Sequence, residues 1–147
     1  MTHTPGTPRT PDAPAPTVWP AFRARDARAL IAFLVDAFGF EETLVVPGDG
    51  DLVAHAQLTW PHGGGVMLGS ERPGTGWHVA AGGAGCYVVV PDDAALDALH
   101  ARAAAAGASV TDVVAQDYGS REFTARDPEG NHWSFGTYRG EPRTGVF

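Results

Sequence analysis

The sequence predicts an α+β fold in which one strand, one helix and three further strands occur twice. Three observations predict it. Two segments carry apolar residues at helical spacing, and their terminating glycines, Gly39 and Gly107, lie 68 positions apart. Strand-like segments follow each helix at nearly the same offset. A glycine-rich break, Glu71–Ala84, separates the two halves.

Six of the 12 prolines fall between Pro5 and Pro20, so residues 1–17 are expected to be a disordered proline-rich arm. The first βαβββ module is read over residues 18–70. Asp26 is placed to cap a helix whose inward positions are Ala27, Leu30, Ile31, Leu34, Ala37 and Phe38, with Gly39 as its stop. Strands are expected over Asp51–Trp60 and Gly65–Gly69. In the former, alternation turns Leu52, Ala54, Ala56, Leu58 and Trp60 toward the helix, and Val53, His55, Gln57 and Thr59 away from it. Residues 71–84 are read as a linker or lid loop that contains Trp77 and His78.

The second module is read over residues 85–138, leaving 139–147 as a C-terminal tail. Asp92 and Asp93 open its helix, Leu96, Leu99, Ala103 and Ala106 form the inward stripe, and Gly107 ends it. Strands follow over Gly119–Arg126 and Asn131–Gly136. Trp133 and Phe135 are expected beneath the helix, with His132, Ser134, Gly136 and Tyr138 on the opposite face. Each sheet thus has one helix-covered face and one mixed polar and aromatic face, the setting for a binding cavity.

Composition narrows the function. The chain of 147 residues is 44% hydrophobic, enough for a packed core. Seventeen acidic against ten basic residues give a net charge of −7, and the arginines are scattered singly. That balance argues against nucleic acid, whose phosphates require clustered positive charge, and suits a neutral or cationic small molecule. No apolar run approaches the roughly 20 residues of a membrane-spanning helix. The N-terminus lacks the basic patch and apolar stretch of a secretory signal, so a cytoplasmic location is expected. The single cysteine, Cys86, excludes an internal disulfide and is expected to be a buried, inert thiol beside Val88 and Val90.

Three segments carry a family resemblance. Asp26–Phe33 with Ala37-Phe38-Gly39-Phe40 resembles the opening of a glyoxalase/bleomycin-resistance module. His55-Ala56-Gln57-Leu58 and Val66–Glu71 are similar to the strands that follow it. Tyr118–Phe135, with its Asp127-Pro128-Glu129-Gly130 turn, resembles the ending of the second module in the vicinal oxygen chelate superfamily. The resemblance covers Val18 to Tyr138. It implies two βαβββ modules forming a paired half-barrel cleft, a homodimer whose partner chain often completes that cleft, and, in the enzymes, a divalent metal held by histidines and glutamates. The positions it implies for those ligands fall at about Trp19, Met67, Gly85 and Ser134. An indole, a thioether, a bare backbone and a hydroxyl do not replace imidazoles and carboxylates, so neither a metal nor another cofactor is expected there.

The expected site is therefore a mainly apolar cavity lined by Trp19, His55, Gln57, Met67, Tyr87, Phe123 and Ser134, with Trp77 near its mouth. Tyr138 is a further aromatic on that face. No catalytic residue is assigned. The leading reading is a metal-free protein that binds a small aromatic or cationic, antibiotic-type ligand. The alternative is a lyase, isomerase or dioxygenase with a relocated metal, or with an acid–base pair such as His55 and Glu71. A third reading leaves the cleft vestigial and gives the chain a role in protein–protein interaction. The glycine runs Gly63–Gly65 and Gly82-Gly83 lack the strand–loop–helix setting of a phosphate cradle.

Overall fold

Phe22 and Ala24 alternate with Ala21 and Arg23 along the first strand, so one side of it is buried and the other is not. The computed structural model, which describes residues 15–72 and 80–141, builds two sheets on this kind of alternation. The first contains β1 (Ala21–Ala24), β2 (Glu41–Pro47), β3 (Val53–Thr59) and β4 (Gly65–Ser70) in the order β1-β4-β3-β2, with β1 and β4 parallel. The second contains β5 (Gly85–Val89), β6 (Ser109–Val110), β7 (Val114–Ala115), β8 (Arg121–Arg126) and β9 (His132–Gly136). Its order is β5-β9-β8-β6, with β7 also paired to β8. Trp77 lies outside the described residues. Among those that are described, no helix is long and apolar enough to cross a membrane.

Helix α1 (Ala27–Phe33) begins where Asp26 accepts from the Ala29 N–H at 3.1 Å, and it continues as a π-helical turn, Leu34–Phe38. Gly39 ends it in the left-handed conformation, φ 84°. The last carbonyls of this helix, Val35 and Asp36, accept from the guanidinium of Arg102, which belongs to α2 (Asp93–Ala105). Asp92 caps α2 by accepting from Ala95 N–H at 2.8 Å, and Leu96, Leu99 and Ala103 are its buried stripe.

The helix-covered faces of both sheets share one core. Phe22, Phe38 and Phe40 from the first half meet Trp133 of β9 at ring-centroid distances of 5.5, 5.4 and 5.6 Å. A polar clamp adds to this. Glu129, 8% exposed in the β8–β9 turn, accepts from the backbone N–H groups of Arg25 and Asp26, so that turn fixes the start of α1. Trp133 and Phe135 lie beneath the helices as the alternation predicts, both fully buried.

Two local expectations fail. Val53 is fully buried and Leu52 is 37% exposed, the reverse of simple alternation. The β2–β3 ladder passes from Val46 opposite His55 to Pro47 opposite Val53, and the extra residue, Ala54, is a bulge that rephases the strand. The counterpart of β2 in the second half is split into β6 and β7. Between them the Thr111 hydroxyl oxygen accepts from Thr124 N–H at 2.8 Å, substituting a side chain for a ladder carbonyl.

Candidate functional site

The register of the second sheet determines what its helix-free face presents. Tyr87, Ser134 and Thr124 stand side by side across β5, β9 and β8, and Val89, Gly136 and Glu122 form the next row. A side chain at position 136 would have its Cβ 2.6 Å from Glu122 Cγ and 2.9 Å from Glu122 Oε2, and against the Tyr87 hydroxyl. Glycine is needed there for close approach: Glu122 lies across its backbone, and the Tyr87 phenol reaches over from the far strand.

Three hydroxyls converge on the Glu122 carboxylate. Tyr118 donates to Oε1 at 2.6 Å, and Tyr87 and Ser120 donate to Oε2 at 2.7 and 3.0 Å. Partial burial pushes the Glu122 carboxyl upward. The hydrogen bonds from Tyr118, Tyr87 and Ser120 outweigh that, so it is held below the ordinary carboxylate value and stays ionised. The hydrogen bond to Glu122 pushes the Tyr118 phenol up to about 12, and burial raises that of Tyr87. Ser120, 2% exposed, also accepts from Tyr138 N–H at 3.1 Å, which ties the chain after β9 to the same point. The Tyr138 ring stands edge-on to Tyr118 at 5.5 Å, and its hydroxyl donates to Glu141 at 3.0 Å. All three tyrosines of the chain therefore gather here.

They line a hollow of about 880 Å³ together with Val89, Glu122, Arg139, Gly140 and Glu141. That volume falls within the range of small-molecule sites, roughly 300–1,000 Å³. The Arg139 guanidinium is directed to the carbonyl of Pro91 at 3.4 Å. Two carboxylates against one guanidinium leave the wall acidic. A second hollow of about 470 Å³ lies between the turn after β3 and strand β5, lined by Val18, Phe40, Trp60, His62, Cys86 and Val88 among others. There the Trp60 indole N–H is used on the Val89 carbonyl at 3.1 Å, and burial raises the Cys86 thiol above its ordinary value.

The residues expected to form one cavity are distributed more widely. Tyr87 is the member of that set that lines the larger hollow, and Ser134 is its neighbour on the same face. Gln57 and Met67 pair with each other on the helix-free face of the first sheet, and His55 stands opposite Val46. Trp19 packs against Gly65, its indole directed to the Pro16 carbonyl at 3.3 Å, and lines neither hollow. Phe123 requires correction. It is 1% exposed and stacked on Phe135 at 5.2 Å, with His100 of α2 edge-on to it. Phe123 and Ala125 alternate with Glu122 and Thr124 in β8, and this pattern assigns the carboxylate, not the phenyl ring, to the open face. Glu122 and Tyr118 were thus absent from the expected site.

The family's metal positions can be tested against these neighbours. Met67 lies between Ala21 and Gln57, Ser134 between Tyr87 and Thr124, and Gly85 offers no side chain. Arg23 stands beside Gly69 on the same face as Met67 and brings positive charge there. Among the described residues, the imidazole that bonds with Ser134 is that of His132, whose Nε2 is 3.3 Å from its hydroxyl on the open face. Among the described residues no three of His, Cys, Asp and Glu are grouped to hold a metal. This donor set does not fit a divalent ion at those positions.

Residues 17–135 match the family model described as Glyoxalase/Bleomycin resistance protein/Dioxygenase superfamily. A comparison with curated protein sequences gave no match. Among solved structures, TioX from Micromonospora sp. ML1 is 28% identical, covering 82% of this chain and 98% of its own, with a TM-score of 0.62. Lactoylglutathione lyase from Agrobacterium tumefaciens is 27% identical, covering 84% and 94%, with a TM-score of 0.63. A glyoxylase/bleomycin resistance protein/dioxygenase domain from Frankia sp. EAN1pec shares the fold at 17% identity, covering 86% and 100%, with a TM-score of 0.65.

Proposed function

The chain belongs to the Glyoxalase/Bleomycin resistance protein/Dioxygenase superfamily, and from that premise we propose that it is a metal-free small-molecule binding protein whose ligand is aromatic, cationic or both. The observation that carries this reading is the hollow over the second sheet, where an ionised carboxylate lies among the chain's three tyrosines. Ring burial against the phenols supplies affinity, and the acidic wall raises the rate at which a cation arrives. The donor set at the family's metal positions supports binding over metal chemistry, because it lacks imidazole–carboxylate ligands.

Each chain leaves the helix-free faces of its sheets open, with Leu44, Val46 and Tyr87 each at least 40% exposed. We place the protein in the cytoplasm as a homodimer in which a partner chain covers these faces, and Trp77 acts as a lid over the ligand. The enzyme reading draws on the likeness to lactoylglutathione lyase. One experiment separates the two. Protein purified without chelator is assayed for bound metal and then titrated with a panel of aromatic cationic natural products. Micromolar binding without stoichiometric metal supports the proposal. Retained iron, nickel, manganese or zinc, with turnover abolished by chelation, refutes it.

A further inference from the structure

The hydrogen bonds around Glu122 constrain the kind of cation the hollow accepts. An ionised carboxylate offers about four lone-pair sites. Three are filled from within the protein: one on Oε1 by Tyr118, and both on Oε2 by Tyr87 and Ser120. What remains on Glu122 for a ligand is the full negative charge and a single lone pair on Oε1. Glu141, on the same wall, accepts from Tyr138 on Oε2 and keeps its other lone pairs at the edge of the hollow, apart from the Glu122 seat. The three phenols that spend their protons on carboxylates line the hollow, and aromatic rings beside a negative charge are a known means of holding cations that have few or no N–H groups.

Resting on the binding function proposed above, we infer that this seat selects an N-alkylated ammonium, tertiary or quaternary, over a primary ammonium or a guanidinium. A tertiary ammonium brings one N–H, which matches the one free lone pair. A quaternary ammonium brings none and loses nothing when it leaves water. A primary ammonium brings three donors and a guanidinium five, and each donor removed from water without a full partner costs binding energy. The Arg139 guanidinium on the same wall is directed to the Pro91 carbonyl, so it leaves the acidic balance of Glu122 and Glu141 in place.

The test is a calorimetric titration of the full chain with benzyltrimethylammonium, N,N-dimethylbenzylammonium, benzylammonium, benzylguanidinium and the neutral 2,2-dimethylpropylbenzene. The first two are expected to bind about fivefold tighter than benzylammonium and benzylguanidinium, with the neutral isostere weaker than either, in keeping with cation–π recognition at a partly open site. Tyr118→Phe frees a second lone pair on Oε1 and keeps the ring, so benzylammonium should gain on benzyltrimethylammonium. Tyr118 is 59% exposed, and a thermal melt checks that this variant folds. Benzylammonium binding as tightly as benzyltrimethylammonium overturns the inference, as does equal binding of the neutral isostere. If none of the five binds while the natural-product panel does, the inference falls and the binding function stands. If nothing binds at all, both fall.

Discussion

Replacing Asp127 by Asn exchanges one oxygen for an NH₂ in a buried turn and should nonetheless be severe. Asp127 is 5% exposed between β8 and β9. Its Oδ1 accepts from the backbone N–H groups of Glu129 and Asn131 at 2.9 and 3.1 Å, and its Oδ2 accepts from Asn131 Nδ2 and Trp133 Nε1, both at 2.9 Å. All four partners are donors. An asparagine turns one of the two acceptors into an NH₂, so whichever way the amide is set, two buried donors face a third. Asn131 cannot flip to compensate, because its Oδ1 already accepts from Ala84 N–H at 3.0 Å. At about 1–3 kcal/mol for each buried donor left unpaired, the loss is about 2–6 kcal/mol. Set against a total stability of about 5–15 kcal/mol, that lowers the melting temperature by roughly 5–20 °C. Urea unfolding followed by tryptophan fluorescence and far-UV circular dichroism measures it. Asp127→Ala should be no milder, since it orphans all four donors. An Asp127→Asn variant within about 0.5 kcal/mol of the parent would refute the reasoning, because surface-like tolerance is incompatible with this network.

Gly136→Ala should keep the fold at an overpacking cost of about 1–3 kcal/mol, yet displace Glu122 and Tyr87 and weaken benzyltrimethylammonium binding by on the order of tenfold; unchanged affinity in the folded variant would count against the seat. Absorbance at 295 nm should show the Tyr118 phenol titrating near 12, and Glu122→Gln should return it toward 10. Because the folded value is raised, the stabilisation is complete below pH 10 and is lost as the pH climbs toward 12. A Tyr118→Phe difference titration centred near 10 would disprove the hydrogen bond. Trp77→Ala should weaken ligand binding by about 1–3 kcal/mol without lowering the melting temperature if the indole stacks on the ligand; equal affinity would remove Trp77 from the site.

Elements that depend on local chemistry could be read from the residues alone. Asp26 and Asp92 cap the helices, and Gly39 and Gly107 end them with φ of 84 and 87°. The alternation in β9 places Trp133 and Phe135 inward because apolar side chains two apart share a face. The Asp127-Pro128-Glu129-Gly130 turn was legible through the family resemblance, which implies a link there between the last two strands, and Gly130 takes it with φ 98°. Tertiary structure decided what pairwise neighbours alone create. The bulge at Ala54 rephases β3, and nothing in the strand's own residues announces it, because it arises from the mismatch with β2. The seat around Glu122 required the register that puts Gly136 beneath the carboxylate and Tyr87 one strand away, and the return of the chain that brings Tyr138 to Tyr118. Charge, ring and missing side chain come from β5, β8, β9 and the segments flanking them. Their meeting depends on long-range pairing, which no local pattern encodes.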